Sequence, residues 1–443
     1  MSEISWSTRS IRECLAESFA GEWGAEPLPG NAHVLRATDI DDDGHVIGSG
    51  ALRRLPIGKL TSRQLEDGDI LLEGSGGGPD KPVGRVAFFD AVEHQGPAVC
   101  SNFFKTLRPD RRVAEPRFLW RKLMWFYRQP MLLTFQQQTT GIINLKFEEY
   151  LNATIEVPAD LAEQSVIAQL LDTLDTAIRE TEALIDKLKA VKQGLLHDLL
   201  TRGIDADGQL RPPQSEAPQL YKESPLGWIP NEWEAVELNQ LIDPKRPVVY
   251  GILMPGYGHP GGVPVVKVKD IFDGKIHLND LLLTSPQIDR EYSRSRLKAG
   301  DLLFTIRGTV GRTAFVPPVL DSANITQDTA RLAVTGTDAR FLRAYLGMAV
   351  PSRFIATHTL GVAVQGINLR DVRRIPIARP SALEAKAIAD EIQSQERRLE
   401  SESLSVAKLR LAKAGLLDDL LTGRVRVTPL LESVQQAATQ TGS

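Results

Sequence analysis

One segment of this chain occurs twice, and the repetition constrains everything the chain can build. Lys187-Leu188-Lys189-Ala190-Val191-Lys192-Gln193-Gly194-Leu195-Leu196-His197-Asp198-Leu199-Leu200-Thr201 returns as Lys408-Leu409-Arg410-Leu411-Ala412-Lys413-Ala414-Gly415-Leu416-Leu417-Asp418-Asp419-Leu420-Leu421-Thr422, with ten of 15 positions identical at an offset of 221. A duplication of this length means two copies of one module in one polypeptide. Shorter anchors extend the match. Trp6 and Ile11 pair with Trp233 and Leu238, Thr38-Asp39-Ile40 with Lys269-Asp270-Ile271, and 65–72 with 297–304. Val83-Gly84-Arg85 pairs with Val310-Gly311-Arg312, Arg117-Phe118-Leu119 with Arg340-Phe341-Leu342, and Ile143-Asn144-Leu145 with Ile367-Asn368-Leu369. The offset drifts between 221 and 232, so small insertions separate the anchors. Each copy runs globular domain first and Leu-spaced polar segment second.

Those polar segments read as long helices. Ile167, Leu171, Leu174, Ile178, Thr181, Ile185, Leu188, Lys192, Leu195 and Leu199 alternate in steps of four and three over 33 residues, a heptad seam. Shifted by 221, the seam reads Ile388, Ile392, Gln395, Leu399, Glu402, Val406, Leu409, Lys413, Leu416 and Leu420. Its breaks at Glu402 and Lys413 fall in register with Thr181 and Lys192. Matching seams of this length favour two helices packed on each other. An antiparallel coiled coil is expected, because a parallel pair would force the second domain back across the whole helix. At 1.5 Å per residue the seam is roughly 50 Å long, or about 15 base pairs of duplex. Both copies also carry more leucine than a two-helix seam uses. Leu195, Leu196, Leu199 and Leu200, with Leu416, Leu417, Leu420 and Leu421, are therefore expected to dock partner proteins. Packing against the chain's own domains is the competing reading. His197 becomes Asp418 in the other copy, so no catalytic histidine is shared.

The 443 residues suffice for two cored domains with connecting elements. No run of 18 apolar residues and no signal-peptide core occurs, and the two cysteines, Cys14 and Cys100, have no CxxC spacing. A cytoplasmic protein without a disulfide framework is the expectation. The net charge of −4 argues against a nucleic-acid binder, but it is unevenly spread. Residues 226–380 carry 19 basic against 14 acidic side chains, or +5, whereas residues 1–158 carry 18 against 21, or −3. Walker A, amino-methylation, HExxH and GxSxG patterns are missing, as are paired metal-ligand clusters. No cofactor, metal or catalytic site is expected in this chain.

Short β-rich runs separated by Gly, Pro and Asp-Gly turns indicate α+β domains with mostly antiparallel sheets. One helix per domain is expected, near 117–127 and 340–348. Aromatic Trp120, Trp125, Phe126 and Tyr127 alternate there with basic residues, and a core helix is favoured over a base-stacking platform. The Gly-rich stretch 73–81 lacks Gly-Lys-Ser/Thr, and Pro79 and Pro82 prevent the helix a P-loop needs. Its counterpart, 305–312, differs in length and side chains, which suits a recognition loop on a shared frame. Candidate DNA contacts are Arg53, Arg54, Lys81, Arg85, Arg307 and Arg312 for phosphate or guanine. Gln136, Gln137, Gln138 and Gln365 are candidates for adenine, with Thr309 and, in the polar cluster 326–328, Gln327 as further DNA-contact candidates.

With these residues in view, the chain closely resembles the specificity subunit of type I restriction-modification enzymes. The match rests on 187–201 and 408–422, on Leu226-Gly227-Trp228-Ile229-Pro230-Asn231-Glu232-Trp233, and on 300–304 with 310–316. The resemblance implies two target-recognition domains, at 1–158 and 226–380, related by a pseudo-twofold duplication. Helical regions follow at 159–205 and 381–425, with a linker at 206–225 and a flexible tail at 426–443. It further implies that the subunit reads a bipartite, asymmetric double-stranded DNA sequence and is not itself catalytic. Two modification (methyltransferase) subunits and ATP-driven restriction subunits would be its partners. S-adenosylmethionine, ATP and Mg would belong to those partners alone. A specificity component serving a fused methylase-nuclease is the alternative. The negative first domain departs from what a DNA reader ordinarily shows.

Overall fold

The computed structural model describes residues 6–26, 29–77, 81–139, 142–361 and 365–427. Residues 78–80 of the Gly-rich stretch, Thr140 and most of the tail lie outside the described residues. The chain divides into two compact units, residues 1–182 with 404–443, and residues 183–403. Each has an α+β fold, and the first is not a contiguous stretch of sequence. Among the described residues no helix is long and apolar enough to cross a membrane.

The first unit holds a four-stranded antiparallel sheet in the order Leu15–Ala20, Phe104–Pro109, Ile70–Glu73, Val86–Phe88. A second sheet orders Ala51–Arg53, Ala32–Leu35 and Ala98–Cys100, the last pair being parallel. The helix Pro116–Tyr127 starts where its sequence dictates. The Glu115 carboxylate caps it by accepting from the Phe118 amide at 2.6 Å, and Pro116, which has no amide hydrogen to lose, opens the first turn. Phe118, Leu119, Trp120, Leu123 and Phe126 are buried, so these aromatics fill a core rather than offering a base-stacking platform.

The second unit repeats the plan. Its four-stranded sheet runs Val249–Tyr250, Thr329–Leu332, Leu302–Thr305, Thr313–Phe315, and a three-stranded sheet again contains one parallel pair. Asp338 caps Ala339–Leu346 through the Arg340 amide at 2.8 Å, and Phe341, Leu342 and Leu346 are buried. Neither unit has a single short helix, however. Ile57–Arg63 and Phe147–Leu151 join the first unit, and Pro286–Glu291, Ala349–His358 and Leu369–Arg373 join the second. These run five to ten residues, too short for heptad spacing to betray them. The expected linker is likewise structured: Tyr221–Ser224 pairs with Gly227–Pro230, and buried Arg211 binds Glu384 at 2.5 Å.

The two long helices are Leu161–Thr201 and Ala382–Leu421. Each unit contains a part of both, packed antiparallel. In the first unit Glu163 pairs with Arg426 at 2.8 Å, Asp175 with Lys413 at 2.5 Å and Glu182 with Arg410 at 2.5 Å. One chain number rises while the other falls. In the second unit Lys192 pairs with Glu396 at 2.9 Å and the Ile204 amide donates to Glu384 at 3.0 Å, with the same sense. Arg426 and Val427, the first two residues of the expected flexible tail, dock on the first unit.

The surplus leucines correct the docking expectation. Leu199 and Leu200 lie in one core cluster with Trp233, Phe341, Ala385 and Ile388, and Leu195 and Leu196 pack against it. Leu417, Leu420 and Leu421 join Phe118, Leu123, Ile167 and Leu171. Leu416 is exposed, at 38%. The leucines off the seam are needed because the last turn of each helix enters a globular core, which surrounds more than one face. Leu200→Asp should therefore cost roughly 3–5 kcal/mol of stability, since it buries an unpaired charge. A urea melt of the full chain measures this, with Leu200→Met as the tolerated control.

Lys122 fastens the second helix to the first unit. Its ammonium donates to the Leu421 carbonyl at 2.5 Å and lies over the Trp125 ring at 4.7 Å. Burial pushes its pKa down to about 8, with Glu156 pulling weakly the other way. Above that value the folded chain has released a proton that the unfolded chain keeps until about pH 10.4. Stability contributed by this group therefore rises as pH increases from about 8. Melting curves should show the unsubstituted chain gaining stability relative to Lys122→Met as pH rises from about 8 toward about 10.4; a pH-independent difference between the two would exclude the shift.

Candidate nucleic-acid interface

The same three pieces meet at one edge of each unit. In the first, the Gly74 amide donates to Phe103 O at 2.8 Å and the Leu145 amide to Gly74 O at 2.9 Å. In the second, the Ile306 amide donates to Asp328 O at 2.8 Å and the Ile367 amide to Ile306 O at 2.9 Å. A strand end, a turn between strands and a segment before a short helix are thus laced identically. Gly74 matches Ile306, Phe103 matches Asp328 and Leu145 matches Ile367. This moves the pairing of 143–145 with 367–369 by two residues, because hydrogen-bond register rather than the Ile-Asn-Leu string decides equivalence.

Several nominated side chains hold this frame together. Arg85 donates to Ile40 O at 3.3 Å and Ala37 O at 3.1 Å, faces Glu73 at 3.4 Å, and is only 13% exposed. Burial raises the Glu73 pKa above the usual carboxylate range, against the pull of Arg85. Arg312 donates to Ile271 O at 3.1 Å, the same contact on the matching turn. Gly84 and Gly311, one residue before each arginine, have φ of 109° and 93°, which only glycine adopts without strain. The repeated Val-Gly-Arg is therefore a fastening. Gln136 straps the Val83 backbone, accepting from its amide at 3.0 Å and donating to its carbonyl at 2.9 Å. Arg85 and Gln136 thus support the frame, and Arg312 does so through one bond while its side chain stays exposed.

The other nominated side chains are placed as follows. Gln137 and Gln138 lie on the strand Gln136–Thr139, and Lys81 is exposed, 3.4 Å from Asp42. Arg53 stands elsewhere, on the edge strand Ala51–Arg53, ion-paired with Glu26 at 2.7 Å and lying over Trp23, with exposed Arg54 beside it. In the second unit, Arg307 and Thr309 are exposed on the turn after Leu302–Thr305. Gln365 is exposed and its carbonyl accepts from the Gly308 amide at 2.9 Å. Gln327, with its carboxamide nitrogen turned toward Ile252 O at 2.8 Å, shares a hollow with Arg307, Tyr250 and Leu253.

Sequence reading missed two groups. Asn102 and Phe103 are exposed on the turn that matches Gln327 and Asp328, and only strand register reveals the match. The loop following Tyr250 exposes Met254 at 83% and Tyr257 completely. Its signal, aromatic and apolar residues among Gly and Pro, was legible. Among the described residues no group of three His, Cys, Asp or Glu gathers as metal ligands.

Residues 30–190 match the family described as the type I restriction modification DNA specificity domain. The chain is 27% identical over 349 residues to the type I restriction enzyme EcoBI specificity subunit of Escherichia coli, covering 72% of this chain and 73% of that protein. It is 26% identical over 331 residues to the putative type I restriction enzyme MjaX specificity subunit of Methanocaldococcus jannaschii, covering 72% and 71%. The crystal structure of the HsdS subunit from Thermoanaerobacter tengcongensis has a similar fold, with a TM-score of 0.50, 17% identity and coverage of 95% and 97%. The S subunit of the type I restriction-modification system from M. genitalium gives 0.53, 15%, 95% and 97%.

The division between supports and exposed side chains is testable without any ligand. Arg85→Gln and Arg312→Gln should lower the melting temperature measurably. Arg307→Gln, Gln138→Ala and Phe103→Ala should each stay within about 0.5 kcal/mol of the unsubstituted chain, as exposed substitutions do.

Proposed function

From the match of residues 30–190 to the type I restriction modification DNA specificity domain and the similarity to type I specificity subunits, we propose that the chain is such a subunit and reads a bipartite, asymmetric DNA sequence, one half through each unit. The observation carrying this reading is a common frame with unlike side chains at equivalent places. Ser75 bridges Asn144 in the first unit, whereas Arg307 bridges Gly366 in the second. Asn102 and Phe103 occupy the turn that Gln327 and Asp328 occupy in the other copy. An arginine fork matches guanine O6 and N7, a carboxamide matches adenine N6 and N7, and an aromatic ring suits a thymine methyl. Two heads with one scaffold and different edges suit an asymmetric pair of half-sequences.

In this reading Lys81, Arg54 and Thr309 contact phosphate and set position, while Arg307, Gln327, Gln365, Gln137 and Gln138 face base edges. The antiparallel helices, of 41 and 40 residues, fix the spacer between the half-sequences. Modification subunits carrying S-adenosylmethionine receive an adenine turned out of the stack, and restriction subunits bring ATP and Mg. The chain itself supplies address rather than chemistry.

Methylated adenines, mapped by long-read sequencing of the host with and without the gene, give the recognised sequence. Exchanging residues 1–158 for those of a relative should change one half of that sequence only. Inserting one heptad near Glu180 should change the spacer and leave both halves intact; an unchanged spacer would refute the helices as the measuring element.

A further inference from the structure

Away from the reading edge, the second unit has a hollow with a strongly positive wall. Lys245, Arg246, Arg294, Arg296, Lys298 and Arg331 line it, and Asp321 is the one carboxylate on that wall among the described residues. Two of the six cations are neutralised from behind. Arg246 grips buried Asp301 at 2.7 and 2.6 Å, and Arg296 grips buried Asp289 at 2.8 and 2.5 Å. Lys245, Arg294 and Lys298 form no ion pair among the described residues.

Arg331 makes the hollow more than a scatter of surface lysines. It is 2% exposed, yet no carboxylate faces it in an ion pair among the described residues. Its guanidinium donates to the carbonyls of Arg294 at 2.6 Å, Arg296 at 3.1 Å and Pro247 at 3.1 Å, and its Nε has no partner among the described residues. Burial, and after it the neighbouring Arg246, lowers its pKa from the ordinary arginine value. Asp301 and Asp243 favour its charge from a distance, but a buried cation with no carboxylate in contact leaves charge that a nearby anion would offset.

The first unit has the opposite character at this place. Leu71 pairs with Thr106 as Leu303 pairs with Arg331, so Thr106 stands where the buried arginine does. Glu66 replaces Lys298. The local cation, Arg108, is surrounded by Glu17 at 2.6 Å, Glu66 at 3.0 Å and Asp69 at 2.8 Å. Part of the charge difference between the copies is therefore concentrated on one surface.

We propose that the hollow formed by Lys245, Arg294, Lys298 and Arg331 binds phosphate esters, and that its ligand is the DNA backbone flanking the half-sequence read by the second unit. The proposal rests on the DNA-reading role given above. Arginine forks and lysine point charges around a concave wall match phosphate oxygens without regard to base. The second unit then supplies much of the sequence-independent, salt-sensitive affinity, and the first unit depends more on base contacts. Free phosphate offers the same chemistry, so the test separates the two sources.

The full chain carrying Lys245→Gln, Arg294→Gln and Lys298→Gln together is compared with the unsubstituted chain by anisotropy on a labelled duplex across a salt series. A charge-matched control removes Lys187, Lys189 and Lys408, all exposed on the long helices, in the same way. The hollow variant should flatten the slope of log K against log salt by roughly 0.9 for each phosphate it no longer neutralises, with its melting temperature unchanged, while the control keeps its slope. Equal slopes for the hollow variant and the unsubstituted chain overturn the hollow and leave the DNA-reading role standing. If the unsubstituted chain binds no duplex, the DNA-reading role fails. Calorimetric uptake of inorganic phosphate that the hollow variant abolishes would then assign the site to free phosphate and overturn the backbone assignment.

Discussion

Apolar burial at the helix ends is the interaction on which the rest of this structure depends. The core of the first unit contains Ile167, Ala168 and Leu171 from the start of one long helix and Leu417, Leu420 and Leu421 from the end of the other. The second unit takes Leu199 and Leu200 with Ala385, Ile388 and Ala389 in the same manner. Burying one leucine side chain is worth roughly 1.5–3 kcal/mol, and a whole domain is stable by about 5–15 kcal/mol. A handful of such leucines thus supplies an energy comparable to the net stability of a unit. Each globular segment is completed by helix turns far away in sequence, and the helices are ordered at both ends by what they complete.

A frame secured in this way tolerates change at its edge. The shared residues are almost all fastenings. Asp69 and Asp301 each accept from an amide three residues back at 2.7 Å and bind an arginine, Arg108 in one copy and Arg246 in the other. Arg85 and Arg312 tie the loop to matching carbonyls. What differs sits beside those bonds, where Ser75, Asn102 and Phe103 occupy the places of Arg307, Gln327 and Asp328. Identity between copies therefore marks mechanical work, and the proposed recognition surface is where the copies differ.

The electrostatic contrast follows the same logic at another place. Both copies need a cation on the buried aspartate, and both have one. The surrounding side chains then diverge, with Glu17 and Glu66 around Arg108 but Lys298, Arg294 and Lys245 near Arg246. A net charge of −4 for the chain averages away a basic hollow and an acidic counterpart that each have a defined position.

Reading residues alone determined the duplication, the two long amphipathic helices, their antiparallel sense and the alternation of α+β domains with them. Heptad spacing and an internal repeat are local signals, carried by neighbours in sequence and independent of what each segment later touches. Tertiary structure decided which leucines face outward, because the eight nominated residues look alike until a globular core buries five of them, leaves Leu195 and Leu196 half-buried against it and Leu416 exposed. It also brought Arg85, Arg312 and Gln136 onto backbone carbonyls at Ile40, Ile271 and Val83, 41 to 53 residues away along the chain. Equivalence of Phe103 with Asp328 and the grouping of Lys245 with Lys298 have the same origin. Hydrogen-bond register and burial are properties of the folded surface, and no spacing rule encodes them.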